Sequence, residues 1–137
     1  MADAPNPHIT IMLIDDDMDD CKLFEEGLRE VDPSVKLITA EGGIEAFLKL
    51  EAGSPDLPDF IFLDLNMPVK DGREVLSELK NDELLKKIPI IIYTTSSNKS
   101  EKEETLQQGA VSWITKPHSV TGISEVIAEI LEKFNKL

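Results

Sequence analysis

The feature that most constrains this chain is a carboxylate at the end of an apolar segment. Asp64 directly follows Phe60–Leu63, residue types that favour a buried β-strand. A carboxylate in such a place costs free energy unless charges or hydrogen bonds compensate it. Asp64 therefore needs polar partners, and other segments of the chain must supply them.

Three further apolar segments also end in polar side chains. Carboxylates follow residues 11–14, a hydroxyl follows 90–93 and an ammonium follows 111–115, contributed by Asp15 and Asp16, by Thr94 and by Lys116. The carboxyl ends of parallel strands meet at one edge of a sheet, where ligand sites form. The sequence therefore predicts one site at this edge, built from all four segments.

The length and charge of the chain limit what it can be. Its 137 residues suit a single core, and we expect a tail over residues 1–7 and one domain over residues 8–137. The formal net charge of -13 argues against a nucleic-acid surface, because phosphates bind to Lys and Arg. The same charge suits a cation site or a basic protein partner.

The sequence also bears on the compartment in which the protein works. Cys21 is the only cysteine, so no intrachain disulfide can form. The apolar segments are too short to span a bilayer, and the first residues lack the basic start and apolar stretch of a signal peptide. We therefore expect a cytoplasmic protein without membrane contact.

Apolar segments alternate with amphipathic ones along the whole chain. Strands are predicted at five places, over residues 8–14, 35–40, 59–64, 88–94 and 111–115. The near-continuous apolar character of these segments fits a parallel sheet that is covered on both faces. The alternation predicts a doubly wound α/β fold with five strands and five helices.

Helices are expected where apolar residues recur at spacings of three and four. The four amphipathic helices are marked by Cys21, Phe24, Leu28 and Val31, by Ile44, Phe47, Leu48 and Leu50, by Val75, Leu76 and Leu79, and by Ile123, Val126, Ile127, Ile130, Leu131 and Phe134. The remaining helix, over residues 99–108, is mostly polar and is expected to be the most mobile. Gly109 stands where the C-terminal cap of that helix is expected.

Four ordered motifs resemble the receiver domain of two-component response regulators, over almost the whole chain. They are Leu13-Ile14-Asp15-Asp16-Asp17, Asp64-Leu65-Asn66-Met67-Pro68 with Asp71-Gly72, Tyr93-Thr94-Thr95-Ser96, and Lys116-Pro117. This resemblance implies a flavodoxin-like fold with the strand order 2-1-3-4-5.

The resemblance also implies a role for each site residue. By position, the phosphoryl acceptor matches Asp64, the Mg²⁺ ligands match Asp15, Asp16, Asp64 and the backbone carbonyl of Asn66, the phosphate-binding lysine matches Lys116, and the switch pair matches Thr94 and Trp113. Mn²⁺ is expected to substitute for Mg²⁺.

The chemistry of these side chains agrees with the implied roles. A carboxylate can attack a phosphoryl group only when the repulsion between the two anions is neutralised. Mg²⁺ prefers carboxylate and carbonyl oxygens, which the acidic residues provide. Lys116 offers a compact ammonium to one phosphoryl oxygen, and Thr94 offers a hydroxyl to another.

The acidic stretch 15–20 also fits two structures that involve no phosphoryl group. The first is a helix cap, since acids are favoured at helix N-termini, and we expect Asp17 and Asp19 to cap the first helix. The second is a calcium loop of the EF-hand type, with ligands at Asp15, Asp17, Asp19 and Glu26. That loop needs glycine where Asp20 stands and follows a helix, whereas the preceding segment here is strand-like.

The resemblance implies a stand-alone receiver that accepts a phosphoryl group from a histidine kinase or a histidine phosphotransfer protein. Its output would run through protein contacts on the surface of the fourth helix, fifth strand and fifth helix, or through onward transfer of the phosphoryl group. Such a protein catalyses only its own phosphorylation and dephosphorylation and is not otherwise an enzyme.

Two other classes of protein stay open at this point. A phosphohydrolase of the haloacid-dehalogenase kind also uses an aspartate nucleophile and Mg²⁺, but it has a second aspartate two residues later, where this chain has Asn66. A pseudo-receiver that acts as a scaffold is disfavoured, because every expected site residue is present.

Overall fold

Five strands and five helices alternate along the chain in a computed structural model that describes residues 9–53 and 56–134. The strands are β1 (Thr10–Ile14), β2 (Lys36–Ala40), β3 (Phe60–Leu63), β4 (Ile90–Thr94) and β5 (Ser112–Thr115). The helices are α1 (Met18–Val31), α2 (Gly43–Gly53), α3 (Gly72–Lys80), α4 (Lys99–Gln107) and α5 (Val120–Lys133), with a short 3₁₀ helix over Leu85–Lys87. The predicted tail over residues 1–7 lies outside the described residues.

All five strands are parallel and form one sheet in the order β2-β1-β3-β4-β5. The predicted flavodoxin-like order is therefore confirmed. The register aligns Ile14 with Leu63, and Thr94 with Thr115, so neighbouring strands end at nearly the same level. The residues that follow β1, β3 and β5 consequently meet Thr94 at one edge of the sheet, which we call the carboxyl edge.

Helices cover both faces of the sheet. Successive residues of a strand point to opposite sides, so each strand contributes to two cores. On one face, Ile11 and Leu13 of β1 belong to a core that α1 and α5 complete. On the other face, Met12 and Ile14 belong to a core completed by α2 and α3. Burial on both sides explains why the three central strands, β1, β3 and β4, are almost continuously apolar, whereas the edge strands β2 and β5 are partly exposed.

The predicted second helix is confirmed as α2, but two of the apolar residues that marked it face solvent. Ile44 and Leu48 are each 62% exposed, whereas Ala46 and Leu50 are buried in the core. Ile44 and Leu48 stand four residues apart, so they share one face of the helix, and that face points to solvent. A spacing of four residues identifies a common face but does not tell which of two apolar faces packs on the sheet.

The fourth helix forms as predicted, although it buries very little. Within α4 only Thr105 is buried, and its hydroxyl donates a hydrogen bond to the carbonyl of Glu101 at 2.9 Å. Gly109 has a φ of +109°, a left-handed conformation that ends the helix and that side chains rarely adopt. The expected cap at Gly109 is thus confirmed. Within residues 9–53 and 56–134, no helix has the length and apolar character needed to cross a bilayer.

Candidate functional site

The side chains that were predicted to converge do meet at the carboxyl edge. Asp15 follows β1, Asp64 follows β3, Thr94 ends β4 and Lys116 follows β5, and all four residues are buried. Their backbones are tied together as well, because the Asp64 amide donates to the Ile14 carbonyl at 3.0 Å and the Lys116 amide donates to the Thr94 carbonyl at 2.7 Å. The sheet therefore holds these groups in fixed relative positions.

Three carboxylates form an acidic cluster within this site. One oxygen from each of Asp15, Asp16 and Asp64 lies within 4.8 Å of the others, and Asp16 is the exposed member. Oδ1 of Asp15 accepts a hydrogen bond from the Asp17 amide at 2.9 Å. Oδ2 of Asp15 is fully buried and has no aligned hydrogen-bond donor among the described residues. Three carboxylates this close together offer the oxygen ligands that a divalent cation prefers.

Lys116 is the cation that the site itself provides. Its Nζ lies 2.7 Å from Oδ2 of Asp15, 2.7 Å from Oδ2 of Asp20 and 3.6 Å from Oδ2 of Asp64. The contact with Asp15 is an ion pair at short range, whereas the contact with Asp20 also has hydrogen-bond geometry. The ammonium is therefore nearer to Asp15 and Asp20 than to Asp64.

Burial and charge act in opposite directions on these groups. Burial raises the pKa of Asp15 to about 6 and also raises the pKa of Asp64, while the Lys116 ammonium lowers both. Burial lowers the pKa of Lys116, but its contacts with Asp15 and Asp20 outweigh burial and raise the pKa above its ordinary value. Lys116 is thus charged, and the buried carboxylates are only partly compensated.

Thr94 and Asn66 lie beside the acidic cluster. Oγ1 of Thr94 is 3.3 Å from the side-chain amide nitrogen of Asn66 and 3.3 Å from the amide nitrogen of Ser96, and both nitrogens donate to it. The backbone amide of Asn66 donates to Oδ1 of Asp64 at 3.3 Å. The hydroxyl of Thr94 is therefore linked both to the loop after Asp64 and to the loop that leads into α4.

Trp113 lies in β5 opposite Ile92, two residues before the end of β4. Its ring is half-buried and packs against the core that α2 and α3 complete. Its indole nitrogen donates to Oγ1 of Thr115 at 3.4 Å, and that hydroxyl donates to the Ser96 carbonyl at 3.2 Å. A chain of polar contacts thus connects the ring with the loop after Thr94.

Gly72 packs directly against the backbone of Asp64 and Leu65. A Cβ atom at position 72 would lie 2.3 Å from the Asp64 carbonyl oxygen and 2.6 Å from Cα of Leu65, both backbone atoms that cannot turn away. The Gly72 amide donates to the Leu65 carbonyl at 3.0 Å. The Asp71-Gly72 motif therefore fixes the loop after β3, and only glycine fits there.

The start of α1 shows what the acidic stretch 15–20 forms. Asp17 is the N-cap, and its Oδ1 accepts from the amides of Asp19 and Asp20 at 3.0 and 3.1 Å. The expected capping role of Asp17 is confirmed, while Asp19 lies in the first turn of the helix. A strand precedes the stretch, as expected, where an EF-hand would require a helix.

Asp20 is the site residue that sequence reasoning did not identify. Its carboxylate reaches Lys116, which is 96 residues away in the sequence. The available signal was its position four residues before Phe24, a core residue of α1, because residues four apart share a helix face. That relation places Asp20 on the inward face of the first turn, above the carboxyl edge.

This combination of a parallel five-stranded sheet and an acidic cluster at its carboxyl edge defines a class of signalling protein, the receivers of two-component systems. The family model described as the response regulator receiver domain matches residues 11–128. The chain belongs to the response regulator receiver family.

Two relatives show how far the similarity extends. The response regulator Rcp1 of Synechocystis sp. is 33% identical over 134 residues, which is 95% of this chain and 91% of that protein. The polar-differentiation response regulator DivK of Brucella ovis is 32% identical over 122 residues, covering 89% of this chain and 95% of that protein. The match therefore extends over nearly all of each protein.

Solved structures agree with this assignment. The phosphorylated cyanobacterial phytochrome response regulator RcpA has a TM-score of 0.82 at 33% identity and covers 92% of this chain and 93% of that one. The Mn²⁺-bound form of Rcp1 has a TM-score of 0.79 at 31% identity and covers 92% of this chain and 94% of that one.

Proposed function

We propose that this receiver is a phosphorylation-dependent switch in which Asp64 accepts the phosphoryl group. The observation that carries the proposal is the placement of Asp64, a buried carboxylate between an acidic pair, a hydroxyl and an ammonium. A structural carboxylate would not need so many charged neighbours at the end of a core strand. The phosphorylated state recorded for RcpA supports the same chemistry for a similar protein.

The donor is a phosphohistidine of a histidine kinase or of a histidine phosphotransfer protein. A carboxylate oxygen of Asp64 forms a bond to phosphorus while the phosphorus–nitrogen bond breaks, and the imidazole leaves with the bonding electron pair. Lys116 and the Thr94 hydroxyl bind phosphoryl oxygens and stabilise the negative charge on the phosphoryl group during its transfer. Hydrolysis of the acyl phosphate returns Asp64 to its carboxylate, so the protein acts on itself alone and not on a separate substrate.

The residues present fit a divalent cation. Asp15, Asp16 and Asp64 converge within one ion's reach, and the donor set is all oxygen. The single Lys116 ammonium nearby cannot compensate three carboxylates. We propose that these carboxylates and the Asn66 backbone carbonyl hold Mg²⁺, with Mn²⁺ as a substitute, as the Mn²⁺-bound form of Rcp1 suggests. When bound, the cation would neutralise the charge of the incoming phosphoryl group.

The output is a change in protein contacts. The surface formed by α4, β5 and α5 is the proposed contact face, because Trp113 lies in β5 and because α4 buries only Thr105 and can shift at low cost. Drawing the Thr94 hydroxyl towards a phosphoryl group on Asp64 would vacate space next to β5, into which the half-buried ring of Trp113 can turn. Onward transfer of the phosphoryl group to another histidine protein is the second route of output.

Phosphorylation by small donors tests the proposal. Incubation with acetyl phosphate or phosphoramidate and Mg²⁺ should add one phosphoryl group, visible by mass spectrometry and removed by hydroxylamine. Asp64→Asn should take up none, whereas Asp59→Asn, which removes a carboxylate before β3, should label like the wild type. Equal labelling of Asp64→Asn would disprove the assignment.

The same experiment separates the other classes of protein. A wild type that takes up no phosphoryl group would favour a scaffold pseudo-receiver. Rapid turnover of many phosphate esters without a stable intermediate would favour a phosphohydrolase of the haloacid-dehalogenase kind.

A further inference from the structure

We propose that Asp20 is a positioning residue that draws Lys116 away from Asp64 and so restrains phosphorylation, an inference that rests on the proposed function. The carboxylate of Asp20 contacts the buried ammonium of Lys116. The helix is already capped by Asp17, so capping does not explain this contact. Asp20 would thus set the rate at which the site reacts, while Asp64 remains the acceptor.

The geometry shows a competition for one ammonium. Lys116 Nζ is 2.7 Å from Oδ2 of Asp20 but 3.6 Å from Oδ2 of Asp64. Of these two contacts, the one with Asp20 has hydrogen-bond geometry. The ammonium that would bind the phosphoryl group on Asp64 is therefore engaged elsewhere before the reaction.

Both ends of the Asp20–Lys116 contact are fixed by the backbone. The Asp20 amide donates to the N-cap carboxylate of Asp17 at 3.1 Å, which holds the first turn of α1 in place. The Lys116 amide donates to the Thr94 carbonyl at 2.7 Å, which holds the start of the loop after β5. The contact can therefore be lost by moving the Lys116 side chain alone, without unfolding either element.

Asp20 also places negative charge where the phosphoryl group must enter. A polar cleft of about 480 Å³ opens at the carboxyl edge and is lined in part by Asp16, Asp20, Asp64 and Lys116. The side chain of Asp20 is 28% exposed and that of Lys116 only 7%, so Asp20 lies on the solvent side of the ammonium. A phosphoryl group that enters this cleft comes close to the negative charge of Asp20 as well as to Lys116, and like charges repel.

Asp15 shares Lys116 but cannot play the same part. Its carboxylate is fully buried and belongs to the acidic cluster, so a cation bound there would take up its charge. Asp20 is not a member of that cluster, so its hydrogen bond with Lys116 would persist in the cation-bound protein. Release of Lys116 would then depend on the phosphoryl group itself.

Removing the charge of Asp20 tests this inference. In phosphoramidate with saturating Mg²⁺, Asp20→Asn should be phosphorylated faster than the wild type by about fivefold, the size expected for one partly exposed ion pair. Asp19→Asn is the matched control, because it removes the same charge from the same helical turn without a contact to Lys116. Its rate should stay near that of the wild type.

A double variant checks that the effect acts through Lys116. In the Lys116→Gln background, the added Asp20→Asn change should alter the rate by much less than about fivefold, because the contact is already lost. Thermal unfolding of each variant shows whether a rate change comes from misfolding.

Each outcome decides for or against the inference. An unchanged or slower rate for Asp20→Asn, an equal acceleration by Asp19→Asn, or a full effect without Lys116 would overturn it while leaving Asp64 as the acceptor. A wild type that takes up no phosphoryl group would overturn both this inference and the proposed function.

Discussion

Asp16→Asn should make the cation-free protein more stable while it weakens the response to Mg²⁺. Asp16 is the exposed member of the acidic cluster, and its carboxylate lies within 4.8 Å of those of Asp15 and Asp64. Asparagine keeps the size and shape of the side chain but removes one of three negative charges. The variant therefore separates repulsion in the folded protein from binding of the cation.

The structure sets the magnitude of the effect. Two carboxylates 4.8 Å apart repel each other by about 1 kcal/mol in water-like surroundings. Asp16 is exposed, so this lower bound applies, and the nearby Lys116 ammonium offsets part of the repulsion from its two neighbours. We expect a net gain of about 1 kcal/mol, which corresponds to a rise in melting temperature of about 4 °C for a domain of this size.

The response to the cation should change in the opposite direction. A ligand that binds only the folded state stabilises it by about 2.7 kcal/mol at one hundred times its Kd. If the loss of one carboxylate weakens binding tenfold, the same Mg²⁺ concentration stabilises Asp16→Asn by about 1.4 kcal/mol less. Asp16→Asn should therefore have the higher melting temperature without Mg²⁺, and the wild type should have the higher one at saturating Mg²⁺.

Thermal unfolding in a chelator and across a series of Mg²⁺ and Mn²⁺ concentrations measures both effects. Asp19→Asn is a suitable control, because it also removes a charge but takes an acid from the first turn of α1, where acids are favourable. That control should be unchanged or slightly less stable, with a normal response to Mg²⁺. If the wild type is indifferent to millimolar Mg²⁺ and Mn²⁺, the acidic cluster is not a divalent-cation site, and the reasoning fails.

Three further predictions address the support of Asp64, the switch and the thiol. Gly72→Ala should destabilise the protein by about 1–3 kcal/mol in urea unfolding and should slow phosphorylation in the labelling assay. Gly42→Ala is the control, because a Cβ there meets nothing within 4 Å, and it should change neither stability nor labelling. Beryllofluoride with Mg²⁺ should change the fluorescence of Trp113 beyond the effect of Mg²⁺ alone. Thr94→Ala should bind this phosphoryl mimic yet lose most of that change. An unchanged wild-type spectrum counts against the switch. Burial raises the pKa of Cys21 to about 12, so iodoacetamide at pH 8 should alkylate the native thiol about a thousandfold more slowly than the unfolded one, and fast native labelling would contradict the burial.

The layout of the fold and most of the site followed from where apolar segments end. Each core strand stops at a polar side chain, and parallel strands of similar length must bring those ends together, so Asp15, Asp64, Thr94 and Lys116 were predictable as a group. The convergence of these side chains follows from the order of the segments and their direction alone. It does not depend on which helix face packs against the sheet.

The features that escaped prediction all depend on helix orientation. Ile44 and Leu48 form an apolar pair on α2 that the sheet does not cover, since Ala46 and Leu50 occupy the core face instead. Asp20 stood within the acidic stretch 15–20, in which Asp15 and Asp16 were assigned to the cation site and Asp17 and Asp19 to the helix cap, but Asp20 had no assigned role. Its contact with Lys116 exists because α1 packs Phe24 and Leu28 into the core, which places Asp20, four residues before Phe24, on the same inward face.

The distribution of charge explains how such a site can switch. A single ammonium on Lys116 lies within 3.6 Å of three carboxylates and cannot compensate all of them. Burial raises the pKa values of Asp15 and Asp64, so ionising each of them costs more free energy than in water, and a bound cation would offset that cost. A ligand at this edge shifts the protein between arrangements only by the difference in its affinity for them, and that difference is large where compensation is incomplete. Because Lys116 directly follows β5, the strand that carries Trp113, we expect a new partner for this ammonium to bias the same surface on which Trp113 lies.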